Sequence, residues 1–129
     1  MATGFPAATG DILSASMYNG LVTYAINPQT TTSYTLVLGD SYQMLVTVNN
    51  ASANAIKIPT NATAAIPIGS VVTVLNIGAG TCTVSATTSG TTTVLSAGAT
   101  PASPTIGQYK SAALIKTATD TWYVVGAIA

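Results

Sequence analysis

The sequence predicts an all-β domain, an antiparallel β-sandwich or jelly-roll-like barrel with an N-terminal arm and at most one short helix. Three observations predict it. Apolar residues alternate with Thr and Ser over short runs, the period of a strand with one buried face. Turn-forming Gly, Asn, Asp and Pro interrupt these runs every ~8 to 12 residues. Only one stretch carries the i, i+4 apolar spacing of a helix.

Residues 1–33 differ in character from the rest and read as an arm, with the β domain over 34–129. Within the arm, the segment 11–20 (DILSASMYNG) offers Asp11 as a cap, Leu13 and Met17 one helical turn apart, and Asn19-Gly20 as a left-handed stop. The first strand is expected at 34–38 (YTLVL), with Tyr34, Leu36 and Leu38 on one face and a break at Gly39-Asp40-Ser41. The run 42–48 (YQMLVTV) aligns Tyr42, Met44, Val46 and Val48, and Asn49-Asn50 ends it. Ile56 and Ile58 then flank Lys57, which places the ammonium outward if the isoleucines point in.

Pro59 and Pro67 make 59–69 an edge or a connection, because proline cannot donate to a sheet ladder. A central strand rich in β-branched residues follows at 71–77 and stops at Gly78-Ala79-Gly80, a turn that permits positive φ. Two more alternating runs, TCTVSA and TTTVLSA, are separated by a turn at Gly90, and Pro101 and Pro104 mark a loop. The clearest hairpin is the last. Residues 109–117 alternate, a tight turn falls near Thr119-Asp120, and TWYVVGAI returns with Trp122 and Val124 on one face, Tyr123 and Val125 on the other.

Charge is nearly absent. Asp11, Asp40 and Asp120 are the only acids, Lys57, Lys110 and Lys116 the only bases, and there is no Glu, Arg or His. A hydroxyl nucleophile needs a base beside it, so the expectation is no enzyme, no catalytic residues and no cofactor. A lone cysteine excludes an internal disulfide and leaves a metal site without its usual thiolate and imidazole ligands, so none is expected. Cys82, in strand-like alternation, reads as a small core residue. Zero net charge offers no basic surface to phosphates, which argues against nucleic acid, and favours self-association. No apolar run approaches the ~20 residues that cross a membrane, and the first residues lack the basic and apolar regions of a secretory signal, so the chain is expected to fold where it is made.

Several short motifs have plainer readings. The GAG at 78–80 lacks the rest of a phosphate-binding glycine fingerprint and is a turn. The glycosylation patterns at Asn50 and Asn61 occur by chance in a Thr-rich chain. Asp40 and Asp120 are residue types that bind cations with backbone carbonyls, but more often cap turns. Tyr18, Tyr24, Tyr34, Tyr42, Tyr109 and Tyr123 outnumber Phe5 and Trp122, a composition suited to interfaces or sugar stacking.

Four segments, GDILSASMYN, YTLVLGDSYQMLVTVNNASANAIKIP, AAIPIGSVVTVLNIGAGTCTVSA and QYKSAALIKTATDTWYVVG, together cover most of the chain. In this order, and with the ending Ile115, Asp120, Trp122 and Gly126, the sequence resembles a module of tailed-bacteriophage virion proteins found in tail fibres and head decorations. The resemblance implies an all-β, homotrimer-forming structural domain without catalysis and transfers no functional residue. In fibres such a module follows a long shaft. With a segment of only 33 residues ahead of the β domain, the expectation is a capsid decoration, or cement, protein on the capsid exterior of the virion, assembled in the host cytoplasm, with itself and the major capsid protein as partners. The alternative is a tail or head-fibre adhesin that binds a host-surface glycan through exposed tyrosines.

Overall fold

The computed structural model describes residue 15 and residues 23–42, 44–96 and 103–129. Ten strands and one 3-10 turn make up the regular structure of these residues, so the all-β expectation holds. The strands are β1 (Ala25–Gln29), β2 (Ser33–Thr35), β3 (Met44–Val48), β4 (Asn54–Ile58), β5 (Val71–Asn76), β6 (Cys82–Ala86), β7 (Thr93–Leu95), β8 (Thr105–Ile106), β9 (Lys110–Ala118) and β10 (Thr121–Gly126). They form a six-stranded sheet in the order β1-β3-β5-β9-β10-β7 and a four-stranded sheet in the order β2-β4-β6-β8.

The sheets are mixed, which corrects the antiparallel expectation. β1, β3 and β5 run parallel to one another in one sheet, β2, β4 and β6 do so in the other, and β7 is parallel to β10. Only β9 with β5, β9 with β10, and β8 with β6 pair antiparallel. The strands achieve this by alternating between the sheets. From β1 to β6 each odd strand is followed by an even one in the opposite sheet, so the link between parallel neighbours there is itself a strand of the other sheet, and three successive coils stack.

The coil corners stack as well. Asn49 N–H donates to the Gln29 carbonyl at 2.9 Å, Ile77 N–H to the Val48 carbonyl at 2.8 Å, and Gly80 N–H to the Asn50 carbonyl at 2.9 Å. This explains the glycines at 78 and 80 differently from the turn argument. A Cβ on Gly78 would overlap the Asn50 backbone and one on Gly80 the Ser52 carbonyl, so close approach of two corners, and not positive φ, demands glycine. Asn76 closes the corner from inside: fully buried, its amide donates to the Gly80 and Ile106 carbonyls, both at 2.9 Å, while its Oδ1 accepts from Gly78 N–H at 3.1 Å.

One core draws on both sheets. Val46, Val48, Val72, Val74, Leu114, Trp122 and Val124 come from the larger sheet, Ile56, Ile58, Cys82, Val84 and Ile106 from the smaller, and Leu36 and Ile66 from connections. Trp122 and Val124 are buried and Tyr123 and Val125 exposed, as the hairpin pattern requires. Cys82 is buried, and residues 59–70 connect β4 to β5.

Three local expectations shift. The strand expected at 34–38 is only Ser33–Thr35; Leu36 reaches the core, Val37 and Leu38 are exposed, and Leu38–Ser41 forms the 3-10 turn. The cause is Asp40, whose Oδ2 accepts the Val37 N–H at 2.9 Å and folds the chain back. The arm boundary at 33 falls inside the sheets, because β1 pairs with β3 along its whole length. The helix expected at 11–20 lies, apart from Ala15, outside the described residues.

Candidate functional site

The two sheets turn different outer faces away from the core. On the four-stranded sheet, register aligns Ser33, Ala55, Thr83 and Thr105 in one row, and Thr35, Lys57 and Ser85 in the next. Lys57 Nζ donates to Ser85 Oγ at 2.9 Å. This face is solvated by hydroxyls and one ammonium.

The six-stranded sheet has the opposite composition. Ile26, Leu45, Thr73, Ala113 and Val125 align across five strands. Flanking rows hold Pro28, Thr47, Leu75 and Ser111 on one side, and Val71, Ile115, Tyr123 and Leu95 on the other. None of these side chains is charged. Ile26 is 54% exposed, Val71 and Val125 48%, and Tyr123 41%. The face is uncharged and mostly apolar, with the hydroxyls of Thr47, Thr73 and Ser111 among its aliphatic and aromatic side chains.

The polar residues singled out in the sequence are used to hold the fold. Asp40 is buried and accepts three bonds: from Tyr34 OH at 2.7 Å, Asn27 Nδ2 at 2.8 Å and Val37 N–H. Burial, and the hydrogen bond to the Asp40 carboxylate, push the Tyr34 phenol up to about 12, against a smaller lowering by Asn27. Asp120 accepts the Asn61 N–H at 2.8 Å, joining the β9–β10 turn to the β4–β5 connection. Both aspartates thus cap turns. Burial also raises the Cys82 thiol to about 11. Among the described residues no three His, Cys, Asp or Glu side chains come together to hold a metal ion, and no helix is long and apolar enough to cross a membrane.

No protein-family model, curated protein or solved structure matches the chain.

The tyrosines do not converge. Tyr123 belongs to the apolar face, while Tyr24, just before β1, and Tyr109, just before β9, stand at opposite ends of the six-stranded sheet. Tyr34 and Tyr42 are half-buried, and Tyr18 lies outside the described residues. Lys116 is the residue that alternation alone places unexpectedly. In phase with Ala112 and Leu114, it points inward and is buried. Burial lowers its ammonium from the ordinary lysine range, and the charge of Asp120 opposes that shift.

Proposed function

We propose that the protein is a structural component of a tailed-bacteriophage virion, a homotrimeric decoration protein that binds the major capsid protein and stabilises the head lattice from outside. The observation that carries the reading is the contrast between the two outer faces, one solvated by hydroxyls and one uncharged and apolar. A lone domain gains nothing from the second. Copies packed through it around a threefold axis remove aliphatic surface from water, at roughly 25 cal/mol per Å². The two sheets then serve as the layers of a sandwich whose inner faces make the core and whose apolar outer face makes the oligomer.

The resemblance to phage head and fibre modules supports the same reading. In the trimer, three N-terminal segments engage the shell together. The second and third bind at high effective concentration, which turns weak contacts into firm attachment. With so few charges, attachment depends only weakly on salt.

Removing residues 1–22, which spares β1, tests the arrangement. A folded trimer that no longer cosediments with capsids is the expected result; undiminished occupancy contradicts the role given to the segment. Gel densitometry against the major shell protein gives hundreds of copies per particle for a decoration protein and a handful for a fibre. The adhesin reading has one observation in its favour, the exposure of Tyr24 and Tyr109, and predicts glycan-array binding that is lost on Tyr→Ala substitution.

A further inference from the structure

A primary amine inside a β core is costly unless every polar neighbour is used. Lys116 is 2% exposed. Its Nζ donates to the Ile66 carbonyl at 2.6 Å and to Asn61 Oδ1 at 2.7 Å. Asn61 is itself fixed by its N–H bond to Asp120, and the main chain around it is locked by Ala64 N–H donating to the Thr60 carbonyl at 3.0 Å. The β4–β5 connection is tied to β9 on its other side too, by Gly69 N–H to the Lys116 carbonyl at 2.7 Å and Lys116 N–H to the Ser70 carbonyl at 3.0 Å. An amine and a carboxamide are therefore held in contact by a rigid frame. With a carbonyl bond of about 1.23 Å, a hydrogen bond arriving near the ~120° lone-pair direction would put Nζ about 3.5 Å from Asn61 Cγ, the outer edge of the ~3–3.5 Å separation from which a small turn of the amine brings its lone pair onto the carbon.

The geometry points to an intramolecular amide bond between Lys116 Nζ and Asn61 Cγ, formed by the folded chain itself with release of ammonia. The Nζ lone pair attacks Cγ and the carbonyl electron pair moves onto Oδ1. A proton passes from Nζ to Nδ2, the carbonyl re-forms, and the Cγ–Nδ2 bond breaks with its electrons leaving on ammonia. One amine and one primary amide become one secondary amide and ammonia; nothing is oxidised or reduced. Burial favours the neutral amine that the attack requires, and the Ile66 carbonyl holds an amine hydrogen so that the lone pair is free to turn toward Cγ. The bond staples the β4–β5 connection to β9 across 55 positions of sequence, a reinforcement suited to a chain with no disulfide.

The chain's three lysines give a clean test. Trypsin acting on the unlinked chain releases residues 1–57, 58–110, 111–116 and 117–129. An amide-linked Lys116 is no longer a cleavage site. After overnight incubation of the folded, full-length protein at neutral pH, the expected digest contains 111–129 uncut and joined to 58–110, lighter by one ammonia than the two peptides together. Asn61→Ala, and independently Lys116→Met, restore the full mass. Cyclisation of another asparagine also expels ammonia but leaves Lys116 cleavable, and so counts against the bond. Recovery of free 111–116 from folded wild-type protein of full mass overturns the proposal, whether or not either variant folds.

Discussion

Replacing Trp122 with Ala tests the core where it is most concentrated. Trp122 is 1% exposed and stands on β10 between the partner strands β9 and β7, opposite Lys116 and Val94. A buried indole removes about 150–250 Å² from water, which at ~25 cal/mol per Å² is worth roughly 4–6 kcal/mol for the whole side chain. Alanine keeps the first carbon, and the vacated space relaxes only in part, so a loss of about 4 kcal/mol is expected. With an unfolding entropy near 2.1 cal/mol/K per residue over a chain of this length, that lowers Tm by roughly 15 °C. In urea, with a slope of about 2 kcal/mol/M, the midpoint falls by roughly 2 M. Trp122 is the sole tryptophan, so unfolding should be followed by far-ultraviolet circular dichroism at one fixed protein concentration. Thr83→Ala, on the hydroxyl face, is the control and should change stability by less than ~0.5 kcal/mol. A Tm drop of under ~3 °C for Trp122→Ala would refute the reasoning that one core joins the two sheets around this ring.

Other outcomes follow from single residues. The folded chain holds the Tyr34 proton to about pH 12 while the unfolded chain releases it near 10, so stability falls as pH rises through that window; Tyr34→Phe should flatten the decline, read by urea titrations at stepped pH. Gly80→Ala should prise apart the stacked corners and cost ~2 kcal/mol or more, whereas Ala79→Gly beside it should cost under ~1 kcal/mol by the same melts. Cys82, buried and with its thiol raised to about 11, should resist a thiol reagent in the native state and react fully in denaturant; rapid native labelling would place it at the surface.

What the sequence made legible was the position of strands, and what it concealed was their partners. The hairpin of β9 and β10 could be read because nine and six alternating residues flank a two-residue turn. Alternation is the same for parallel and antiparallel neighbours, so nothing local distinguishes β3 returning beside β1 as a hairpin from β3 stacking as the next coil. The coils also hide as a repeat: Ala25 aligns with Met44, 19 positions on, but Leu45 with Thr73, 28 positions on, because the β4–β5 connection is long. β2 was over-extended because Leu36 and Leu38 keep the strand period, while the bond that ends the strand runs from the Val37 backbone to the Asp40 side chain. The apolar face was half visible. Val71 to Leu75 is nearly continuous in aliphatic residues, the mark of a strand covered on both sides, yet which neighbours extend that face depended on the register. Lys116 was in phase with the core all along; only its partners Asn61 and Ile66, more than 45 residues away, explain why a lysine is tolerated there.

Sedimentation equilibrium of the purified chain weighs the central claim, that the uncharged outer face of the six-stranded sheet is covered by further copies. Wild-type protein at tens of micromolar should give three times the 12.9 kDa chain mass, and Val125→Lys, which puts an ammonium on that face at a position now 48% exposed, should give a folded single chain. A wild-type monomer, or a Val125→Lys protein that still assembles as a trimer, would contradict the account.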